Sequence, residues 1–140
     1  MINIAICDDE ILFTRELSSL LTHWAEKNDF SLTLYPYSNG DDLLTALRTI
    51  PVDLIFLDII QMDGIDGMET ARKLRSQNYK GYLIFITVLK EMVFQAFEVQ
   101  AYDYLVKPIE EEYFDKKMER LFASMQNANE ANLLVQKGYE

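Results

Sequence analysis

"LIFLD", residues 54–58, sets four apolar side chains in a row and then ends on an acid. A strand with one face in water alternates apolar and polar residues. An unbroken apolar run suits a strand covered on both faces, as in a parallel sheet. "YLIFIT", residues 82–87, repeats the pattern and ends on Thr87. Working outward, three more short apolar runs occur, at Ile2–Cys7, Leu32–Tyr37 and residues 101–106. Between the runs, apolar residues return at helical spacing. Phe13, Leu17, Leu20, Leu21 and Trp24 form one stripe, and Leu43, Leu44 and Leu47 a second. Met68, Ala71 and Leu74 form a third, and Met92, Val93, Ala96 and Phe97 a fourth. Phe114, Met118, Leu121, Phe122 and Met125 complete the series. Strand and helix thus alternate five times. This predicts an α/β fold, a (βα)5 doubly wound parallel five-stranded sheet with right-handed crossovers.

The bulk composition narrows the function. A chain of 140 residues with 49% hydrophobic and 26% charged residues suits one soluble domain with a sizeable core. No apolar run approaches the length of a membrane span, and no basic segment leads into a secretory-type apolar stretch. The single cysteine, Cys7, has no internal disulfide partner, which fits a reducing cytoplasm. It sits in an apolar strand and reads as core, and His23 reads as a surface residue. The net charge of −10 argues against these residues forming a nucleic-acid surface, because phosphate contacts need clustered Lys and Arg. It suits a site where a cation offsets crowded acids.

In an open α/β sheet the ligand site lies at the carboxyl ends of the strands. There the sequence puts Asp8 and Asp9 after the first strand and Asp58 after the third. Thr87 follows on the fourth and Lys107 on the fifth. Three carboxylates a few ångströms apart do not all stay ionised unaided. A divalent cation plus Lys107 would supply +3 against −3. Oxygen ligands favour Mg²⁺, and an Asp is a competent nucleophile toward phosphorus. Lys and Mg²⁺ would stabilise the charge of phosphoryl transfer. The plain alternative is that Asp8 and Asp9 cap the first helix. Glu10 reads as a first-turn acid with no chemistry. Met92, Phe94, Phe97 and Val99 read mostly as core, any exposed remainder forming an interaction face with strand five and the last helix.

These motifs, "CDDE", "FLDI", "FIT" and "DYLVKP", each at a strand end and in order, resemble a two-component response regulator receiver domain over residues 3–122. The resemblance implies a flavodoxin-like sheet of order 2-1-3-4-5. It makes Asp58 the phosphoacceptor, with Asp9 and Asp58 binding Mg²⁺ directly and Asp8 acting mainly through water. The backbone carbonyl of Ile60 is the remaining ligand. Lys107 pairs with the phosphoryl group, Thr87 moves toward it, and Tyr104 is the coupled aromatic switch. The Lys107–Pro108 bond is expected to be cis.

"GIDGMETARKLR" and "AFEVQAYDYLVKPIEEEYF" resemble receivers attached to LytTR-type DNA-binding domains. Residues 1–124 are then the receiver. The polar stretch from Ala123 reads as an extension of the last helix or a linker, and residues 125–140 lead into "NLLVQKGYE", the possible first strand of a truncated LytTR domain. The implied partners are a sensor histidine kinase and a second copy bound through the helix 4–strand 5–helix 5 face. DNA would be contacted only through the missing domain.

Two positions depart from the family. The loop from Asp58 to Gly67 is one residue longer than usual, and Val88 stands where a small residue is typical, narrowing access to Asp58. Other readings are an unphosphorylated pseudo-receiver that only binds partners, a flavin carrier, and a haloacid-dehalogenase-type phosphatase. The phosphatase needs a second Asp where Ile60 stands. The flavin carrier lacks a Ser/Thr/Gly-rich phosphate loop.

Overall fold

The computed structural model describes residues 1–61 and 64–136. Five strands, β1 (Ile2–Cys7), β2 (Leu32–Tyr37), β3 (Leu54–Leu57), β4 (Tyr82–Thr87) and β5 (Asp103–Val106), form one parallel sheet of order β2-β1-β3-β4-β5. Helices α1 (Ile11–Asn28), α2 (Gly40–Ala46), α3 (Gly67–Ser76) and α4 (Val93–Glu98) connect them. Among the described residues, no helix is long and apolar enough to cross a membrane.

The apolar runs mark depth in the sheet. β3 is buried at all four positions, and β4 at five of six. β2 is one of the two edge strands, and of the five strands it alone carries a proline, Pro36, paired in register with Ile6. Proline lacks the backbone N–H that a strand residue donates to its neighbour, and on an edge strand that position can face away from the sheet. The fifth strand begins at Asp103, two residues later than the apolar run suggests.

α1 buries Phe13, Leu17, Leu21 and Trp24, the expected stripe less Leu20. α4 departs from expectation. Ala96 and Val99 are buried, but Phe94 is 81% and Phe97 71% exposed. Only one face of this six-residue helix is covered, and the two phenylalanines lie off it.

The second unit of the chain begins at Ile109 and, within the described residues, consists of α5 (Glu111–Gln136). Phe114, Met118, Leu121 and Phe122 are its buried stripe. Residues 132–136, read from sequence as the start of a strand, are helical. The run from 111 to 136 holds no Gly or Pro, and its Ala, Glu, Leu and Gln are good helix formers, so nothing local stops the helix. The remainder of "NLLVQKGYE", residues 137–140, lies outside the described residues.

Candidate phosphoryl site at the carboxyl edge of the sheet

The parallel ladder runs one residue past β1, β3 and β5, and that places the site. The Asp8 N–H donates to the Tyr37 carbonyl at 3.0 Å and the Asp58 N–H to the Cys7 carbonyl at 3.0 Å. The Lys107 N–H donates to the Thr87 carbonyl at 2.8 Å. Residues 50 and 99 positions apart in sequence therefore share one sheet edge. The Lys107–Pro108 bond is cis, as the resemblance implies.

The Lys107 ammonium is the centre of the cluster. It lies 2.9 Å from Asp8 Oδ2, 3.0 Å from Asp58 Oδ2 and 3.3 Å from Glu10 Oε1. Its Nζ also sits 4.1 Å from the centroid of the Phe13 ring. Asp8 and Asp58 are each only 4% exposed. Burial raises the Asp8 carboxyl above its ordinary value, against the pull of the Glu10 N–H and Lys107. Burial alone would lower Lys107, but its hydrogen bonds to Asp8 and Asp58 carry it above its ordinary value. It is a committed cation.

Each buried acid also has one oxygen fixed by its own backbone. Asp8 Oδ1 accepts from the Glu10 N–H at 2.9 Å, and Asp58 Oδ1 from the Ile60 N–H at 3.1 Å. Helix capping does not account for the acids. The N-cap of α1 is Glu10, and its side chain makes no cap hydrogen bond. That side chain turns to Lys107 instead, so Glu10 belongs to the cluster that sequence reading left it out of. A first-turn position looks the same in sequence whether its carboxylate faces water or a lysine 97 residues on.

Among the described residues, the acids whose oxygens lie within 4.8 Å of one another are Asp8, Glu10 and Asp58. Asp9, half-buried, is outside that group. The donor set is all carboxylate oxygen and already gathers around a positive charge, which fits a hard divalent cation such as Mg²⁺.

Thr87 is wholly buried, and its Oγ1 accepts from the Leu89 N–H at 3.4 Å. The half-buried Tyr104 donates its hydroxyl to the Leu89 carbonyl at 2.6 Å. Both switch candidates therefore hold the same residue. Val88 is 56% exposed. Gln61, unremarked in the sequence, bridges three elements. Its Nε2 donates to the Asp58 carbonyl at 3.1 Å and contacts Cys7 Sγ at 3.5 Å, and its Oε1 accepts from the Gly40 N–H at 3.0 Å.

Gly67 shows why the loop must end on glycine. A Cβ there would overlap the Asp58 carbonyl and Ile59 Cα. The extra loop residue falls in a stretch that includes 62 and 63, outside the described residues.

Residues 4–119 match the response regulator receiver domain. The chain belongs to that family. The receiver is 42% identical over 123 residues to the sensory transduction protein LytT of Oceanobacillus iheyensis, covering 86% of this chain and 48% of that protein. It is 32% identical over 123 residues to the transcriptional regulatory protein YpdB of Escherichia coli K12, covering 88% and 48%. The crystal structure of the response regulatory domain of protein mrkE from Klebsiella pneumoniae matches it with a TM-score of 0.80 at 30% identity, covering 90% of this chain and 99% of that one. The receiver spans about half the length of the curated relatives it matches. Its sheet order is that of the flavodoxin-like fold.

Proposed function

We infer that this receiver accepts a phosphoryl group on Asp58 from a sensor histidine kinase and relays the change of charge to an output domain. The observation that carries the reading is the convergence of Asp8, Glu10 and Asp58 on one buried ammonium.

In this reading an Asp58 carboxylate oxygen attacks phosphorus. The P–N bond to the donor histidine breaks, its electron pair leaves with the imidazole nitrogen, and that nitrogen is protonated. The Ile60 N–H orients one Asp58 oxygen, and Lys107 faces the other. Lys107 then pairs with the phosphoryl oxygens, so the added charge meets a cation already in place. Asp8, Asp9, Asp58 and the Ile60 carbonyl would hold Mg²⁺, with Glu10 as a further acid at the same place. When bound, the metal supplies positive charge against the spread charge of phosphoryl transfer. Thr87 donates to the phosphoryl group, and Tyr104 follows because both residues hold Leu89. The domain catalyses only its own phosphorylation and dephosphorylation.

The output is transcriptional regulation through a LytTR DNA-binding domain, and the protein acts in the cytoplasm. The names of LytT and YpdB, a sensory transduction protein and a transcriptional regulator, support this. DNA is contacted through that domain, since a net charge of −10 repels phosphates here. The exposed Phe94 and Phe97 of α4, beside β5, support homodimerisation through that face.

Incubation with acetyl phosphate and Mg²⁺ should shift the wild type on a phosphate-affinity gel, leave Asp58→Ala unshifted, and give no shift in EDTA. A wild type that migrates like Asp58→Ala would refute the reading.

A further inference from the structure

An ammonium carries three N–H donors. For Lys107, three carboxylate oxygens stand within reach of them, at 2.9, 3.0 and 3.3 Å. A further side is taken by the Phe13 ring, 4.1 Å from Nζ to centroid. Phe13 lies in the first turn of α1 and is 7% exposed. An aromatic face is electrically negative, and its attraction for a cation grows where water is excluded.

Lys107 therefore has two kinds of partner. The carboxylates are exchangeable, because a divalent cation or a phosphoryl group engages the same oxygens. The ring offers a metal no lone pair and phosphorus no nucleophile, so its hold on the ammonium persists when the acids are engaged elsewhere. The helical stripe does not require an aromatic ring here, since any large apolar side chain would fill that position.

We propose that Phe13 is a positioning residue for Lys107, its ring face keeping the ammonium beside Asp58 whatever else occupies the acids. The contact stands on the geometry, and its kinetic consequence rests on the reading of Asp58 as acceptor. Lys107 thus arrives at the phosphoryl group without a search. A leucine at position 13 would leave it to follow the acids.

Two replacements separate the ring's charge from its bulk. Phe13→Leu removes the ring, while 3,4,5-trifluorophenylalanine at position 13 keeps its shape and depletes its negative face. In the unphosphorylated wild type the Lys107 side-chain proton signals should be displaced upfield by the ring current. In Phe13→Leu they should return to ordinary lysine positions. At saturating Mg²⁺, phosphorylation by acetyl phosphate should slow about tenfold in Phe13→Leu and about threefold in the trifluoro variant. The trifluoro variant should keep the wild-type KM for acetyl phosphate and the wild-type melting temperature.

A trifluoro variant that reacts at the wild-type rate would reduce Phe13 to a space-filler and overturn the proposal. Wild-type Lys107 signals without ring-current displacement would do the same. If those signals are displaced while the wild type takes up no phosphoryl group, the ring contact stands and the acceptor reading falls.

Discussion

Lys107 and Arg75 are both half-buried cations of the same α/β unit, and each lies against an aromatic ring. Their partners differ in kind. Lys107 faces three carboxylates at the carboxyl edge of the sheet. Arg75, in the last turn of α3, donates to four backbone carbonyls. Its Nε reaches Val99 at 2.8 Å, its Nη1 reaches Tyr79 and Gly81 at 2.9 Å each, and its Nη2 reaches Gln100 at 3.0 Å. Burial lowers the Arg75 guanidinium, whereas the charged partners of Lys107 raise it. Carbonyl dipoles are permanent parts of the backbone, so Arg75 pins the end of α3, the start of β4 and the α4–β5 turn in one arrangement. Carboxylates can exchange a lysine for a metal or a phosphoryl group, so the Lys107 end can rearrange. One end of the sheet is stapled, and the other is built to change partners.

The contrast is tested most severely by Arg75→Met. It leaves four carbonyls without their donor and should cost about 4 kcal/mol of stability, read from the urea midpoint. Mg²⁺ should recover none of that loss. Lys107→Met leaves its acids without a cation and should cost about 3 kcal/mol, most of it restored by millimolar Mg²⁺. If Mg²⁺ rescued both variants equally, or neither, the distinction between staple and exchangeable site would fail.

Gly67→Ala drives a methyl group into the Asp58 carbonyl, so it should cost about 2 kcal/mol and slow phosphorylation by displacing the acceptor. A variant with wild-type melting temperature and rate would show that the loop yields freely.

The smallest expected effect is a gain. The raised Asp8 carboxyl means the folded protein holds that proton where the unfolded chain has lost it. Stability therefore falls as pH rises from the ordinary carboxylate range through the raised value. Asp8→Asn removes this penalty and should be slightly more stable than wild type at pH 7. The gap should close on acidification, where both side chains are neutral. Urea midpoints at pH 4 and pH 7 check the sign, and a gap that widens toward acid would contradict it.

Much of the fold was legible because its signals are local. The runs at 54–57 and 82–87 coincide with the buried strands β3 and β4. They had to be apolar throughout because helices cover both faces of a doubly wound sheet. Asp8, Asp58, Thr87 and Lys107 were legible because each ends an apolar run, and a parallel sheet brings such ends to one edge. The exposure of Phe94 and Phe97 was not legible, because an apolar stripe states only that a residue suits a core, not that a core reaches it. Glu10 was missed because its partner is 97 residues away and no spacing rule links the two. The helical course of residues 132–136 was missed because an apolar run of that length suits either period.

By itself, then, the sequence determined the element order, the parallel sheet and the residue types at its carboxyl edge, since periodicity and strand-end chemistry are written along the chain. Only the tertiary structure decided that Glu10 joins Asp8 and Asp58 around Lys107, that a phenylalanine ring closes on that ammonium, and that Arg75 staples the opposite end. Those are distances between side chains far apart in sequence, and packing alone sets them.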